Sequence, residues 1–110
     1  MCIRDRTIAK EEIFGPVLCI EKFSNEPLEM IAKRTNETTY GLSGSVWTND
    51  TTTGHKMAAL IDAGQVSINF HAAVDSAIPF GGNKQSGWRR EFGEEGLDSY
   101  LKTKSTTVMY

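Results

Sequence analysis

The period of apolar positions changes from segment to segment along this chain, and the changes predict its elements. Residues 16–24 (PVLCIEKFS) carry an unbroken apolar block at 17–20, the pattern of a strand covered on both faces. Ser24, Asn25, Glu26 and Pro27 follow as a helix start, with a capping side chain and Pro in the first turn. Leu28, Ile31, Ala32 and Thr35 recur at i, i+3, i+4 and i+7, one face of a helix that Asn36 closes. Residues 41–48 (GLSGSVWT) predict a second strand. Thr48, Asn49 and Asp50 offer a second cap, followed by Met57, Ala58, Leu60 and Ile61 on a helix and Gly64 as a left-handed residue past its end. Residues 65–70 alternate, with Val66, Ile68 and Phe70 on one face of a third strand.

This succession predicts an α/β fold, a βαβαβ unit with a parallel or mostly parallel sheet. Residues 71–88 then hold Pro79, Gly81, Gly82 and Gly87 and no sustained period, a long Gly-rich loop of the kind that carries function. A helix is predicted over residues 89–101, with Leu97, Tyr100 and Leu101 sharing a stripe, and a β-prone tail over 105–110 (STTVMY).

Composition narrows the function classes. At 110 residues the chain holds one modest domain. Twelve basic against 14 acidic residues leave a net charge of −2, which disfavours nucleic acid as a partner. No apolar run approaches the roughly 18 residues of a membrane span, and the start does not read as a secretory signal. Two cysteines do not frame a disulfide scaffold, so a cytoplasmic globular protein is expected.

Individual residues give little chemistry by themselves. Cys19 lies inside the apolar run 17–20, where a thiol is expected to be a buried hydrophobe without a neighbouring base. His55 and His71 lack partners at metal-ligand spacing, so no metal is expected. The turn Gly81-Gly82-Asn83-Lys84-Gln85-Ser86-Gly87 has the ingredients of a phosphate loop in the wrong order, and no GxGxxG occurs. The acid pairs Glu11-Glu12 and Glu94-Glu95 read as solvated faces.

Five motifs taken together say more. EEIFGPV at 11–17, NETTYGL at 36–42, AGQVSIN at 63–69, PFGGNKQSG at 79–87 and the run through Arg90, Glu91, Gly93, Gly96, Leu97 and Tyr100 resemble aldehyde dehydrogenase hallmarks, in that family's order and spacing. The resemblance implies the C-terminal portion of an NAD(P)-dependent enzyme, part of a catalytic domain over residues 7–104 and an oligomerisation-type β tail over 105–110. Residues 1–6 (MCIRDR) match nothing in that pattern. In the family a catalytic cysteine attacks the aldehyde, hydride passes to NAD or NADP, and a glutamate-activated water hydrolyses the thioester. The resemblance puts that cysteine, that glutamate and the cofactor domain upstream of Glu11, so no catalytic residue is expected here and the chain alone is expected to be inactive.

The resemblance assigns cofactor roles to two positions. Glu12 matches the glutamate that accepts hydrogen bonds from the nicotinamide ribose hydroxyls, and Phe14 matches the aromatic ring beside that ribose. Val74 and Phe80 match walls of the aldehyde tunnel, with Phe70 and His71 nearer its start; the apolar loop favours an aromatic or medium-chain aldehyde. The complete enzyme is expected to be a homo-oligomer acting on a small-molecule aldehyde. Arg89 stands where the family usually has Gly, a cost of about 1 kcal/mol if that residue is left-handed. A free-standing α/β interaction module derived from this fold is the alternative.

Overall fold

The structure is a computed structural model that describes residues 7–71 and 74–110; the segment 1–6, set apart above, lies outside the described residues. Helix α1 spans Leu28–Thr35 and α2 spans Thr51–Leu60. Among the described residues the short strands are β1 (Tyr40–Gly41), β2 (Ser43–Val46), β3 (Gln65–Ile68) and β4 (Asn83–Lys84). Strands β2 and β3 pair in parallel, with Ser43 opposite Gln65 and Val46 opposite Ile68, and α2 makes the crossover between them. Strands β1 and β4 pair antiparallel, Tyr40 opposite Lys84. The fold is therefore mixed α/β, but one βαβ unit replaces the expected βαβαβ.

The missing strand is the one expected over residues 16–24, which join no ladder. Leu18 is 83% exposed, and Val17, Ile20 and Phe23 are exposed too. A strand needs a second backbone to receive its donors and acceptors. No other described segment forms a ladder with this run, so among the described residues its apolar side chains stay exposed. Cys19 is corrected with it: the thiol is exposed, and its Sγ donates to the Ile8 carbonyl at 3.2 Å instead of packing in a core.

Helix α1 begins at Pro27 without a side-chain cap. Glu26, expected near the cap, instead accepts both terminal nitrogens of Arg34, and Glu21 approaches the Arg34 Nε at 3.4 Å. The hydrogen bond to Glu26 holds the Arg34 guanidinium even more firmly protonated than usual. Asn36 closes the helix as expected, its N–H bonding to Ala32 and Arg34 carbonyls. Helix α2 starts as the sequence predicts. The Asp50 carboxylate accepts the N–H groups of Thr52 (3.2 Å) and Thr53 (3.0 Å), and the Thr53 hydroxyl as well.

The core sits where α1 and α2 meet the β2–β3 pair. Ala32 is 3% exposed, Met57 8% and Ser67 4%. Gly54 lets α2 lie on β3, since a Cβ there would stand 3.1 Å from the Ile68 side chain. Among the described residues no large side chain is fully buried. The radius of gyration is 18.5 Å, against about 13 Å for a compact domain of this length. The accessible surface of 9252 Å² likewise exceeds the roughly 6,100 Å² of a compact monomer of this mass.

The C-terminal expectations change as well. In place of a helix over 89–101 there is a single 3-10 turn, Glu95–Ser99. Glu91 instead exchanges two 2.7 Å backbone hydrogen bonds with Phe80, and Gly93 is left-handed at φ +59°; neither suits a continuous helix. Residues 105–110 are exposed and form no strand with the described residues.

Acid should loosen this fold in a defined window. Hydrogen bonds from Thr53 lower the Asp50 carboxyl below its ordinary value, and bonds from Asn83 and Lys84 do the same for Asp62. Their folded values lie below the unfolded value of about 3.9, so their stabilisation is complete above that value. It is lost as pH falls through the folded values, because there the unfolded chain binds more protons. Thermal midpoints measured between pH 6 and pH 2.5 should decline mainly below pH 4. The decline should be shallower in Asp50→Asn and Asp62→Asn; equal slopes in all three chains would exclude this cause.

Candidate functional site

Residues 9–18 form a loop whose base is drawn together by the contact of the Cys19 thiol with the Ile8 carbonyl. A 3-10 turn at Thr7–Ala9 leads in, with the Thr7 carbonyl accepting the N–H groups of Lys10 and Glu11. Glu12 projects from this loop onto an open cleft of about 490 Å³, lined also by Thr38, Tyr40, Leu42, Gln85 and Ser86. Among the described residues nothing donates to its carboxylate. Phe14 follows at φ +52°, a left-handed conformation that costs a side chain of this size about 1–2 kcal/mol. Its ring is 92% exposed. Strain of this kind is concentrated at functional sites, where surrounding contacts hold it.

The wall opposite Glu12 is made where two motifs are tied together. The Ser86 Oγ accepts the Gly41 N–H at 3.0 Å, and the Gln85 N–H reaches the Thr39 carbonyl at 3.1 Å. The Lys84 ammonium donates to the carbonyls of Asn36 (2.9 Å) and Thr38 (3.2 Å) and pairs with Asp62 at 3.4 Å. Asn36 in turn spans the end of α2, donating to the Leu60 carbonyl at 2.8 Å and accepting the Asp62 N–H at 2.9 Å. Asn83 joins Asp62 to Arg90, which also holds the Gly82 carbonyl at 2.8 Å. NETTYGL and PFGGNKQSG are thus two halves of one polar clamp.

Sequence reading missed this clamp. Lys84 drew attention as a misplaced phosphate-loop lysine and as a motif letter, yet its ammonium is engaged by two carbonyls and a carboxylate. The glycines around it serve close approach. A Cβ on Gly64 would stand 1.7 Å from the Gly81 carbonyl oxygen, and one on Gly82 would stand 2.4 Å from that of Ser86. Gly64 has no positive φ, so the expected left-handed stop after α2 is replaced by a crossing of two backbones. Arg89 is not left-handed either, and the conformational cost foreseen there does not arise. Gly87 and Gly93 take the positive φ values instead, and the Arg89 guanidinium lies 4.9 Å over the Trp88 ring.

The expected tunnel residues are not brought together. Phe80 is half-buried and lines a cleft of about 410 Å³ with Leu42, Ser86 and Trp88, sharing Leu42 and Ser86 with the Glu12 cleft. Val74 is exposed and lines neither. Phe70 is exposed, and the Nδ1 of His71 lies 2.5 Å from the Ser45 Oγ. Among the described residues no cluster of His, Cys, Asp and Glu could hold a metal ion, and no helix is long and apolar enough to cross a membrane.

What the Glu12 cleft can do follows from its donors and acceptors. A carboxylate with both oxygens open accepts two adjacent hydroxyl groups, because it offers two acceptors and no competing donor. An exposed ring one residue beyond offers a flat apolar face.

Comparison with known proteins covers most of this chain. The model of the aldehyde dehydrogenase family matches residues 2–106. Human mitochondrial 10-formyltetrahydrofolate dehydrogenase is 45% identical over 103 residues, covering 94% of this chain and 11% of that protein. The NAD+ complex of an aldehyde dehydrogenase from Bacillus cereus is 44% identical with a TM-score of 0.84, over 92% of this chain and 20% of that one. Betaine aldehyde dehydrogenase from Staphylococcus aureus in complex with NAD+ gives 38% identity and a TM-score of 0.86, over 94% and 20%. The chain therefore spans a fifth or less of the length of these relatives. On the strength of the family match and of these likenesses, this chain belongs to the aldehyde dehydrogenase family.

Proposed function

We propose that the chain is the C-terminal portion of an NAD(P)-dependent aldehyde dehydrogenase and that its part in the reaction is to position the nicotinamide half of the cofactor. The observation that carries this reading is the open Glu12 carboxylate on a cleft walled by the 36–42 and 79–87 motifs. Glu12 binds the ribose hydroxyls through its two oxygens. Phe14, held in a strained conformation, limits how far the ribose and the ring attached to it can rotate. When bound, the cofactor supplies a hydride acceptor; the chain's own residues bind and orient it. NAD is supported by the NAD+ complexes of two relatives.

The aldehyde is the small-molecule partner, and Phe80 and Val74 are walls of its path in the complete enzyme. The apolar run before Pro79 favours an aromatic or medium-chain aldehyde. Residues 105–110 serve the contacts of a homo-oligomer, and the enzyme is cytoplasmic. These assignments rest on the family pattern at the matching positions.

Glu12→Gln tests the reading in a complete aldehyde dehydrogenase carrying this segment. The amide turns one acceptor into a donor facing a hydroxyl, and a charge-assisted hydrogen bond contributes about 1.5–3 kcal/mol. Cofactor affinity or single-turnover hydride transfer should therefore fall by about tenfold or more. If both stay at the parent values, Glu12 is a surface acid and the assignment is lost.

A further inference from the structure

We infer that Lys84 is a positioning residue for the cofactor cleft, acting through the wall that faces Glu12. The inference rests on the reading of that cleft given above and adds a residue that does not line it. Thr38, Tyr40 and Gly41 come from one chain segment and Gln85 and Ser86 from another, and together they form the surface opposite the carboxylate. Lys84 precedes the second segment directly and is left-handed at φ +53°. From there its ammonium crosses to the Asn36 and Thr38 carbonyls, at 2.9 and 3.2 Å, at the head of the first segment. Asp62, which follows α2, holds the same ammonium at 3.4 Å.

Two hydrogen bonds, one to a side chain and one between backbones, depend on the register this crossing sets: Gly41 N–H to the Ser86 Oγ and Gln85 N–H to the Thr39 carbonyl. Strands β1 and β4 contribute only two residues each, so the ladder is too short to fix that register by itself. Lys84 supplies what the ladder lacks. Its side chain is only 24% exposed, and its three partners use all three of its donors. The lowered carboxyl of Asp62 agrees with a standing interaction between the two. A displaced wall misplaces what it positions, and a misplacement of about 1 Å can cost on the order of a hundredfold in rate.

The test uses a complete aldehyde dehydrogenase carrying this segment, with NAD and a saturating aldehyde. Lys84→Met should raise the KM for NAD about tenfold while leaving the aldehyde KM within about twofold, and Lys84→Arg should restore most of the loss. A role in stability alone would instead lower the thermal midpoint and the amount of active enzyme with an unchanged KM for NAD, and that result overturns the inference. Asp62→Asn, which removes the charge partner and keeps the side-chain size, should shift the KM for NAD in the same direction; it carries the test should Lys84→Met not fold. Glu12→Gln in the same background separates the two ideas. If it leaves NAD binding unchanged, the cleft is not the cofactor site and Lys84 loses its role with it. If Glu12→Gln weakens NAD binding while Lys84→Met and Asp62→Asn do not, only the role of Lys84 falls.

Discussion

Gly64→Ala is expected to abolish cooperative unfolding of the 110-residue chain. The new methyl carbon would stand 1.7 Å from the Gly81 carbonyl oxygen and 2.7 Å from its carbonyl carbon, and both are backbone atoms. No side-chain rotation relieves such a contact, so β3 and the Gly81–Gly82 turn must separate. Separation strains the bond between the Gly64 N–H and the Gly41 carbonyl, at 3.0 Å, and the Asn83–Asp62 link beside it. Overpacking of a tight site costs about 1–3 kcal/mol and sometimes more, against roughly 5–15 kcal/mol for an ordinary domain. With Ala32 and Met57 as its buried apolar core, this chain belongs at or below the lower end of that range. Gly15→Ala is the control, since its nearest neighbour is a side-chain carbon at 3.9 Å, and it should leave the melting curve within about a degree or two of the parent. A sigmoidal melt of Gly64→Ala close to the parent midpoint would mean that the two backbones do not cross as described.

The contrast between these glycines marks what was legible in the sequence. Features set by neighbours in the chain were readable. Asp50 caps α2 because a carboxylate two and three residues before free N–H groups has few better partners, and residues 65–68 form a strand in the stretch where alternation predicts one. Features set by a distant backbone were not readable. Gly64 was credited with a left-handed turn, although what it provides is room for Gly81. The run 16–24 has a strand's composition but no described segment to pair with, and composition alone does not supply the pairing. The helix expected over 89–101 lost to two hydrogen bonds between Phe80 and Glu91, eleven residues apart.

The candidate site divides in the same way. Glu12 and Phe14 were picked out by resemblance, and their local chemistry is visible: an open carboxylate and a ring on a strained backbone. The clamp from Arg90 through Asn83, Asp62 and Lys84 to Asn36 was not, because its members are scattered over more than fifty positions. Lys84 and Asn36 were in plain view as motif letters, but a motif letter does not state which atom it binds. The bond from Lys84 to the Asn36 carbonyl joins these two motifs in the fold.

The 110-residue chain by itself is expected to oxidise no aldehyde with either NAD or NADP. Its described thiol, on Cys19, is exposed and donates to the Ile8 carbonyl, and among the described residues no general base is hydrogen-bonded to it. Cofactor capture is equally short of partners. Each charge-assisted hydrogen bond from Glu12 contributes about 1.5–3 kcal/mol, whereas association costs about 4–15 kcal/mol in lost freedom of motion. Even millimolar affinity requires a net 4.1 kcal/mol or so, which one carboxylate and one exposed ring do not reach. Incubation with millimolar NAD or NADP and a panel of aromatic and medium-chain aldehydes should therefore give absorbance at 340 nm no higher than a protein-free blank. Equilibrium dialysis should find no cofactor retained at the same concentrations. Reduced cofactor that accumulates in proportion to protein, and vanishes in Cys19→Ala, would put a working nucleophile inside this chain and overturn the assignment of Glu12 and Phe14 as parts of a larger site.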